Sequence, residues 1–227
     1  YCYAMYSHDY LGSKEFSKDI YVKTNIVDEL EKQLRASTWK HEVINIGGVT
    51  DSYQPAEEKY RLMPQILKLL IKYKTPAIIS TKSSLVLRDF DLIDQLSQIT
   101  YINIAETITT VDEKIREKTE PGSSGVTERF NVLKEFRKTN ASIGLHVMPI
   151  IPFITDTENN FDEMFFQAKE CKVDYVLPGT LYLRGSTRTI FLDFVKKEFP
   201  MIYEDLKALY KTGGANKEYK NKLYERV

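Results

Sequence analysis

Long apolar runs are missing from this 227-residue chain: the best candidate, around Ile66–Ile71, is punctuated by lysines and falls far short of the ~20 residues a membrane span needs. A membrane-spanning helix is thereby excluded, and no membrane partner is expected. Cysteine is nearly absent as well. Cys2 and Cys171 are too few for a secreted disulfide scaffold and suit a reducing, cytoplasmic compartment. Net charge is lacking, because 32 basic residues balance 32 acidic ones, so nothing draws the chain generally toward nucleic acid, although a local basic strip is compatible with that balance. No internal repeat, low-complexity tract, phosphate loop, zinc cluster or nucleophile elbow occurs. The opening Tyr1-Cys2-Tyr3-Ala4 has neither an initiator methionine nor a signal-peptide pattern, and reads as a truncated start. What remains is 42% hydrophobic and 12% aromatic, enough to fill the core of one large α/β unit.

Apolar strand-like runs alternate with longer amphipathic stretches, the pattern of a parallel sheet or barrel. Helices are expected at Ile26–Ala36, Pro55–Tyr73, Asp89–Gln98, Thr127–Lys138 and Glu158–Cys171, the last capped by Thr157. Strands are expected at Val43–Gly47, Pro76–Ser80, Tyr101–Ala105, Ile143–Met148 and Tyr175–Leu177. From about Ser186 only helices follow, at Thr189–Glu198, Ile202–Tyr210 and a polar stretch after Gly213-Gly214. This divides the chain into a core, residues 1–185, and a helical C-terminal extension, residues 186–227. From Lys207 onward six basic residues face two acidic ones, which reads as a solvated terminal helix.

Five such strands make either an open doubly wound sheet or most of a barrel. Strand polarity separates the two, because a strand covered by helices on both faces is apolar on both. Here Asn45 lies opposite Ile44 and Ile46, Asn103 opposite Ile102 and Ile104, and His146 opposite Ile143, Leu145 and Val147. The expectation is a barrel whose aliphatic faces meet outer helices while Asn45, Asn103, His146 and Ser80 point to the axis. Those side chains either line a polar lumen or hydrogen-bond one another in a packed interior.

Chemistry in such barrels gathers on the loops after the strands. Those loops hold Gly47-Gly48-Val49-Thr50-Asp51, Ser80-Thr81-Lys82-Ser83, Glu106-Thr107, Met148-Pro149-Ile150-Ile151-Pro152 and Leu181-Tyr182-Leu183-Arg184-Gly185. Glycines permit close backbone approach to a ligand, Lys82 suits an anion, and Glu106-Thr107 suits a sugar diol. With these on view, Tyr1-Cys2-Tyr3-Ala4 resembles the end of the radical S-adenosylmethionine (SAM) cysteine motif. The runs Val49–Glu57, Thr81-Lys82-Ser83 with Arg88-Asp89, Glu120-Pro121-Gly122 with Glu128-Arg129, and Pro149-Ile150-Ile151-Pro152 resemble, in order and spacing, the spore photoproduct lyase-like branch of that superfamily.

The resemblance implies an α/β fold, a partial (β/α)6 TIM-like barrel whose first strand and first two cluster cysteines lie before Tyr1. It implies a [4Fe-4S] cluster and S-adenosyl-L-methionine as cofactors, reductive cleavage of SAM to a 5′-deoxyadenosyl radical, and an electron donor such as a flavodoxin or ferredoxin. Nucleic acid is among the candidate substrates. Carried over residue by residue, Cys2 is a cluster ligand, and Gly47, Gly48, Thr50 and Asp51 meet the SAM amino group. Lys82 meets its carboxylate, Glu106 and Thr107 the ribose, and Tyr3, Ile150 and Ile151 the adenine. Arg129 is expected to pair with Glu120 or Glu128, Cys171 to be buried and structural, and His146, Tyr182 and Arg184 to be substrate contacts. Where the lyase proper carries a hydrogen-donating cysteine, this chain reads Gly47-Gly48-Val49, which separates it from the DNA-repair reaction; Tyr53 and Tyr182 are alternative donors. The other class of function is a barrel that binds a nucleotide-like ligand or nucleic acid without radical chemistry.

Overall fold

The computed structural model describes Tyr1, Cys2, Ala4, Met5, Phe16 and residues 18–226. Tyr3 lies outside the described residues. Five strands form one sheet: β1 Ile44–Ile46, β2 Ala77–Thr81, β3 Ile102–Thr107, β4 Ser142–Ile150 and β5 Tyr175–Thr180. All neighbours are parallel and the spatial order is the chain order, β1-β2-β3-β4-β5. That order decides the architecture. A doubly wound sheet reverses direction at a switch point, whereas an unbroken run of right-handed crossovers places every helix on one face and leaves the other as a lumen. The chain is an α/β partial barrel.

Helices pack along the sheet, the longer of them burying apolar stripes against its outer face. They are α1 Ile26–Leu34, α2 Ala56–Tyr60, α3 Leu62–Lys72, α4 Phe90–Ser97, α5 Glu113–Thr119, α6 Val126–Phe136 and α7 Glu158–Glu170. Ile79, Ile104, Ile143, Leu145 and Val147 pack with Leu67, Leu70, Leu96, Leu133, Phe136 and Met164, all fully buried, each side chain contributing about 1.5–3 kcal/mol of transfer free energy. Thr157 caps α7, accepting from Asn160 N at 3.3 Å. Helices α8 Ser186–Glu198, α9 Tyr203–Leu209 and α10 Lys217–Tyr224 follow, and Phe191, Val195, Leu206 and Tyr210 share a second core with Ile151, Ile154, Leu181 and Leu183. The terminal helices therefore pack around the loops at the strands' C-terminal ends. Among the described residues, no helix is long and apolar enough to cross a membrane.

The expected helix Pro55–Tyr73 is two helices. Arg61 adopts a left-handed conformation at φ 48°, and Glu57 caps the second helix by accepting from Leu62 N and Met63 N, each at 3.0 Å. The signal was Pro64, which inside a continuous helix would clash with the carbonyl four residues back but is tolerated in a first turn. Helix α5 and a 3-10 turn at Ser84–Asp89 were also unexpected. Asp112 starts α5 by accepting from Lys114 N and Ile115 N.

Candidate functional site

The loop after β1 is held in place by one carboxylate. Asp51 accepts from Tyr53 N at 2.9 Å, Thr81 Oγ1 at 2.7 Å and Lys82 N at 2.7 Å, tying this loop to the end of β2. Gly47 sits at φ 93°, and a Cβ there would lie 2.5 Å from Ser80 O, so only glycine brings the loop this close to β2. Behind it, Tyr53 donates to Asp89 Oδ2, and Arg88 binds Asp89 and Glu57, both at 2.7 Å. Burial and the Asp89 carboxylate raise the Tyr53 phenol far above its ordinary range, so it stays protonated. Asp51, Tyr53, Glu57, Arg88 and Asp89 thus form the scaffold of the rim.

A cleft of about 460 Å³ opens beside this scaffold, lined by Tyr1, Cys2, Asp51, Lys82, Glu120 and the Pro121–Ser124 turn, among others. Lys82 Nζ donates to Glu120 Oε1 at 2.6 Å and to Tyr1 Oη at 2.7 Å, and stands 4.9 Å from the centre of the Tyr1 ring. Tyr1 donates a short hydrogen bond to the same carboxylate, and its ring meets Phe191 edge-on. Glu120 Oε2 accepts from Arg129 Nη1 at 3.0 Å, and Thr109 donates to Oε1 at 3.2 Å. Burial works to raise the Glu120 pKa, but Lys82 and Arg129 overcome it and hold the carboxyl down at about 2. A second opening of about 450 Å³, lined by Gly47, Gly48, Thr50 and Tyr21, shares Asp51 and Gln54 with the first.

The expected site residues fall into distinct groups. Cys2, Asp51 and Lys82 meet at one cleft, and Gly47, Gly48 and Thr50 line the adjoining one. Thr107, 8% exposed, lies on the lumen face as register partner of His146. Glu106 shares the opposite face with Ile102 and Ile104 and is fully buried, with neither carboxylate oxygen hydrogen-bonded. Burial first, then the Asp51 and Glu120 charges, push its pKa well up against the pull of Arg129. The Ile150 and Ile151 side chains are in the two cores; Ile150 O accepts from Leu181 N, and Ile151 N donates to Thr155 Oγ1. Arg129 pairs with Glu120, not Glu128, and also donates to Thr107 O at 2.6 Å. Tyr182 and Arg184 are exposed, Tyr182 bridging to Gly214. Sequence reasoning missed Tyr175, the hub of the lumen network, for which Gly144 on the facing strand was the signal.

The residues of this chain do not by themselves fit a [4Fe-4S] cluster. Cys2 offers one thiol at the cleft, while Cys171 is sealed in the core at the far end of the barrel, where burial raises its pKa and its Sγ lies 3.6 Å from Phe130 O. Among the described residues no group of three or more His, Cys, Asp or Glu side chains could hold a metal.

Fold and rim together define a parallel partial barrel with a polar cleft at the strands' C-terminal ends. No family model matches the chain. It is 31% identical over 231 residues to the uncharacterized protein Rv2578c of Mycobacterium tuberculosis (strain ATCC 25618 / H37Rv), spanning 100% of this chain and 68% of that protein, and it belongs to the same family. It is also 30% identical over 159 residues to the uncharacterized protein MJ0683 of Methanocaldococcus jannaschii, covering 70% of this chain and 58% of that one. Among solved structures it resembles spore photoproduct lyase complexed with dinucleoside spore photoproduct, with a TM-score of 0.67, 16% identity, and coverage of 100% of this chain and 67% of that one. A lyase variant with bound AdoMet and dinucleoside spore photoproduct gives a TM-score of 0.67 at 15% identity. The chain spans 63% of another lyase variant's length. At these identities the likeness establishes the fold.

Proposed function

We propose that this chain is the SAM-binding barrel of a radical SAM enzyme of the spore photoproduct lyase-like branch, acting on a nucleic-acid-like substrate. The observation that carries the reading is the convergence of Cys2 and Lys82 on one cleft at the C-terminal ends of a parallel partial barrel. Cys2 would be one cluster ligand, the other thiolates coming from polypeptide outside these 227 residues. When bound, SAM and the cluster supply the radical chemistry, and a flavodoxin or ferredoxin would supply the electron.

This chain's own residues bind and orient. Asp51 holds the Lys82 backbone in place, and the Lys82 ammonium is the cation for a ligand carboxylate. That carboxylate competes with Glu120, which keeps Arg129 as its partner when Lys82 is taken. Gly47 and Gly48 would let the backbone approach the ligand's amino group, with Thr50 beside them, and Thr107 on the lumen face would meet a ribose hydroxyl. Tyr182 and Arg184 would meet the substrate at the rim. Glu106 is buried with both carboxyl oxygens unpartnered, and the Ile150 and Ile151 side chains lie in the two cores.

Calorimetric titration with S-adenosylhomocysteine, which carries the same amino-acid and nucleoside ends, tests the binding half. Lys82→Met is expected to weaken binding roughly tenfold or more, the value of a charge-assisted contact. Equal affinity of the two proteins contradicts the site. The single thiol at the cleft favours a second reading, a barrel that binds a nucleotide-like ligand without radical chemistry. It predicts binding without SAM cleavage.

A further inference from the structure

In the lumen, β4 carries Gly144 where β5 presents Tyr175, and the two are register partners. A Cβ at Gly144 would lie 2.1 Å from the Tyr175 ring, so the missing side chain is what lets the ring lie across β4. There the Tyr175 hydroxyl donates to Asn103 Oδ1 at 2.9 Å, and His146 Nε2 stands 3.2 Å from the same hydroxyl. Asn103 is 1% exposed, and its Nδ2 lies 3.2 Å from Ser142 O.

Elementary chemistry sets the direction of every bond in this chain. A backbone carbonyl only accepts, so the amide nitrogen of Asn103 must face Ser142 and its oxygen must face Tyr175. A phenol has one proton, and here Asn103 takes it. The Tyr175 oxygen can then only accept from His146, which must carry a proton on Nε2. Desolvation lowers the His146 pKa, keeping the ring neutral. A neutral imidazole protonated on Nε2 has its lone pair on Nδ1, and Nδ1 has no hydrogen-bond partner among the described residues. Thr107, proposed above as a ribose contact, is the register partner of His146 on β3. None of the strand residues that share this face in the sheet register is charged, so the lumen suits an uncharged group.

We infer that His146 is a fixed-tautomer acceptor in the barrel lumen, whose Nδ1 receives an N–H or O–H from an uncharged nucleoside portion of the substrate. This rests on the nucleic-acid-like substrate proposed above, and it assigns specificity to a Ser142–Asn103–Tyr175–His146 chain that fixes the acceptor in advance.

Nitrogen-15 NMR of the histidine-labelled protein tests it, with the His146 signals assigned through His146→Gln. At neutral pH the ring is expected neutral with its proton on Nε2. Tyr175→Phe keeps the ring in the Gly144 cradle but removes the acceptor, so part of the population should move its proton to Nδ1. Titration with adenosine, guanosine, cytidine and uridine should shift the His146 Nδ1 signal with at least one of them. Loss of that one contact in His146→Phe should weaken its binding roughly three- to tenfold. A native ring protonated on Nδ1, a doubly protonated ring, or an Nδ1 signal that none of the four nucleosides moves would overturn the assignment. S-adenosylhomocysteine titrated in parallel separates the two claims: its failure to bind, with an intact nucleoside response, contradicts the SAM site and leaves His146 in place.

Discussion

Replacing Glu120 with Gln deletes one charge while keeping the shape of the side chain. The carboxylate is 3% exposed and serves Lys82, Tyr1 and Thr109 through one oxygen and Arg129 through the other. An amide must turn its NH2 toward one of the two cations, and Arg129, fully buried, keeps Thr107 O as its one acceptor among the described residues. Breaking a buried pair by removing one partner costs about 3–5 kcal/mol. An independent route gives a similar figure, because lowering a carboxyl from 4.5 to about 2 corresponds to about 3 kcal/mol at about 1.4 kcal/mol per unit. The sign follows from linkage. The folded pKa is depressed, so as pH falls the unfolded chain takes up the proton first; the stabilisation is complete above about pH 4.5 and is lost as pH falls through about 2. Urea unfolding of wild type and Glu120→Gln should differ by about 3 kcal/mol near neutral pH, with the gap closing toward pH 2. A gap below about 1 kcal/mol, or one that persists unchanged into acid, would refute the reasoning.

Glu106→Gln should act in the opposite direction. With its folded pKa raised, Glu106 costs stability once pH exceeds the unfolded value of 4.5, so the variant should be more stable than wild type near pH 7 and no more stable in acid, as read by urea unfolding at both. Gly144→Ala should expel Tyr175 from its cradle, costing about 1–3 kcal/mol and releasing the His146 tautomer in NMR. Asp51→Ala should remove about 2 kcal/mol or more by breaking three hydrogen bonds, and should weaken S-adenosylhomocysteine binding because Lys82 loses its backbone tether.

Period-two alternation is local, and it placed the lumen: Asn103 and His146 lie on one sheet face, with the isoleucines on the other, as read from three short runs. On that face Asn103, Tyr175 and His146 bond to one another, while Asn45 at the β1 edge is exposed. The same parity places Glu106 with Ile102 and Ile104. Pro64 marked the break between α2 and α3. The Lys82–Glu120–Tyr1 cluster was illegible for a different reason: it joins residues 38 and 81 positions apart, a proximity created by tertiary folding and carried by no local pattern. Helix α5 is short and charged, and it depends on the Asp112 cap and on Arg116 pairing with Glu113, so it too lacks an apolar stripe to announce it.

The most direct test of the account is the formation of 5′-deoxyadenosine from SAM by the natural protein, purified and reconstituted with iron and sulfide without oxygen and supplied with a strong reductant. The account predicts 5′-deoxyadenosine and methionine in equal amounts, with no product from Cys2→Ala. Production that survives Cys2→Ala, or no 5′-deoxyadenosine from a protein that still binds S-adenosylhomocysteine through Lys82, would contradict it.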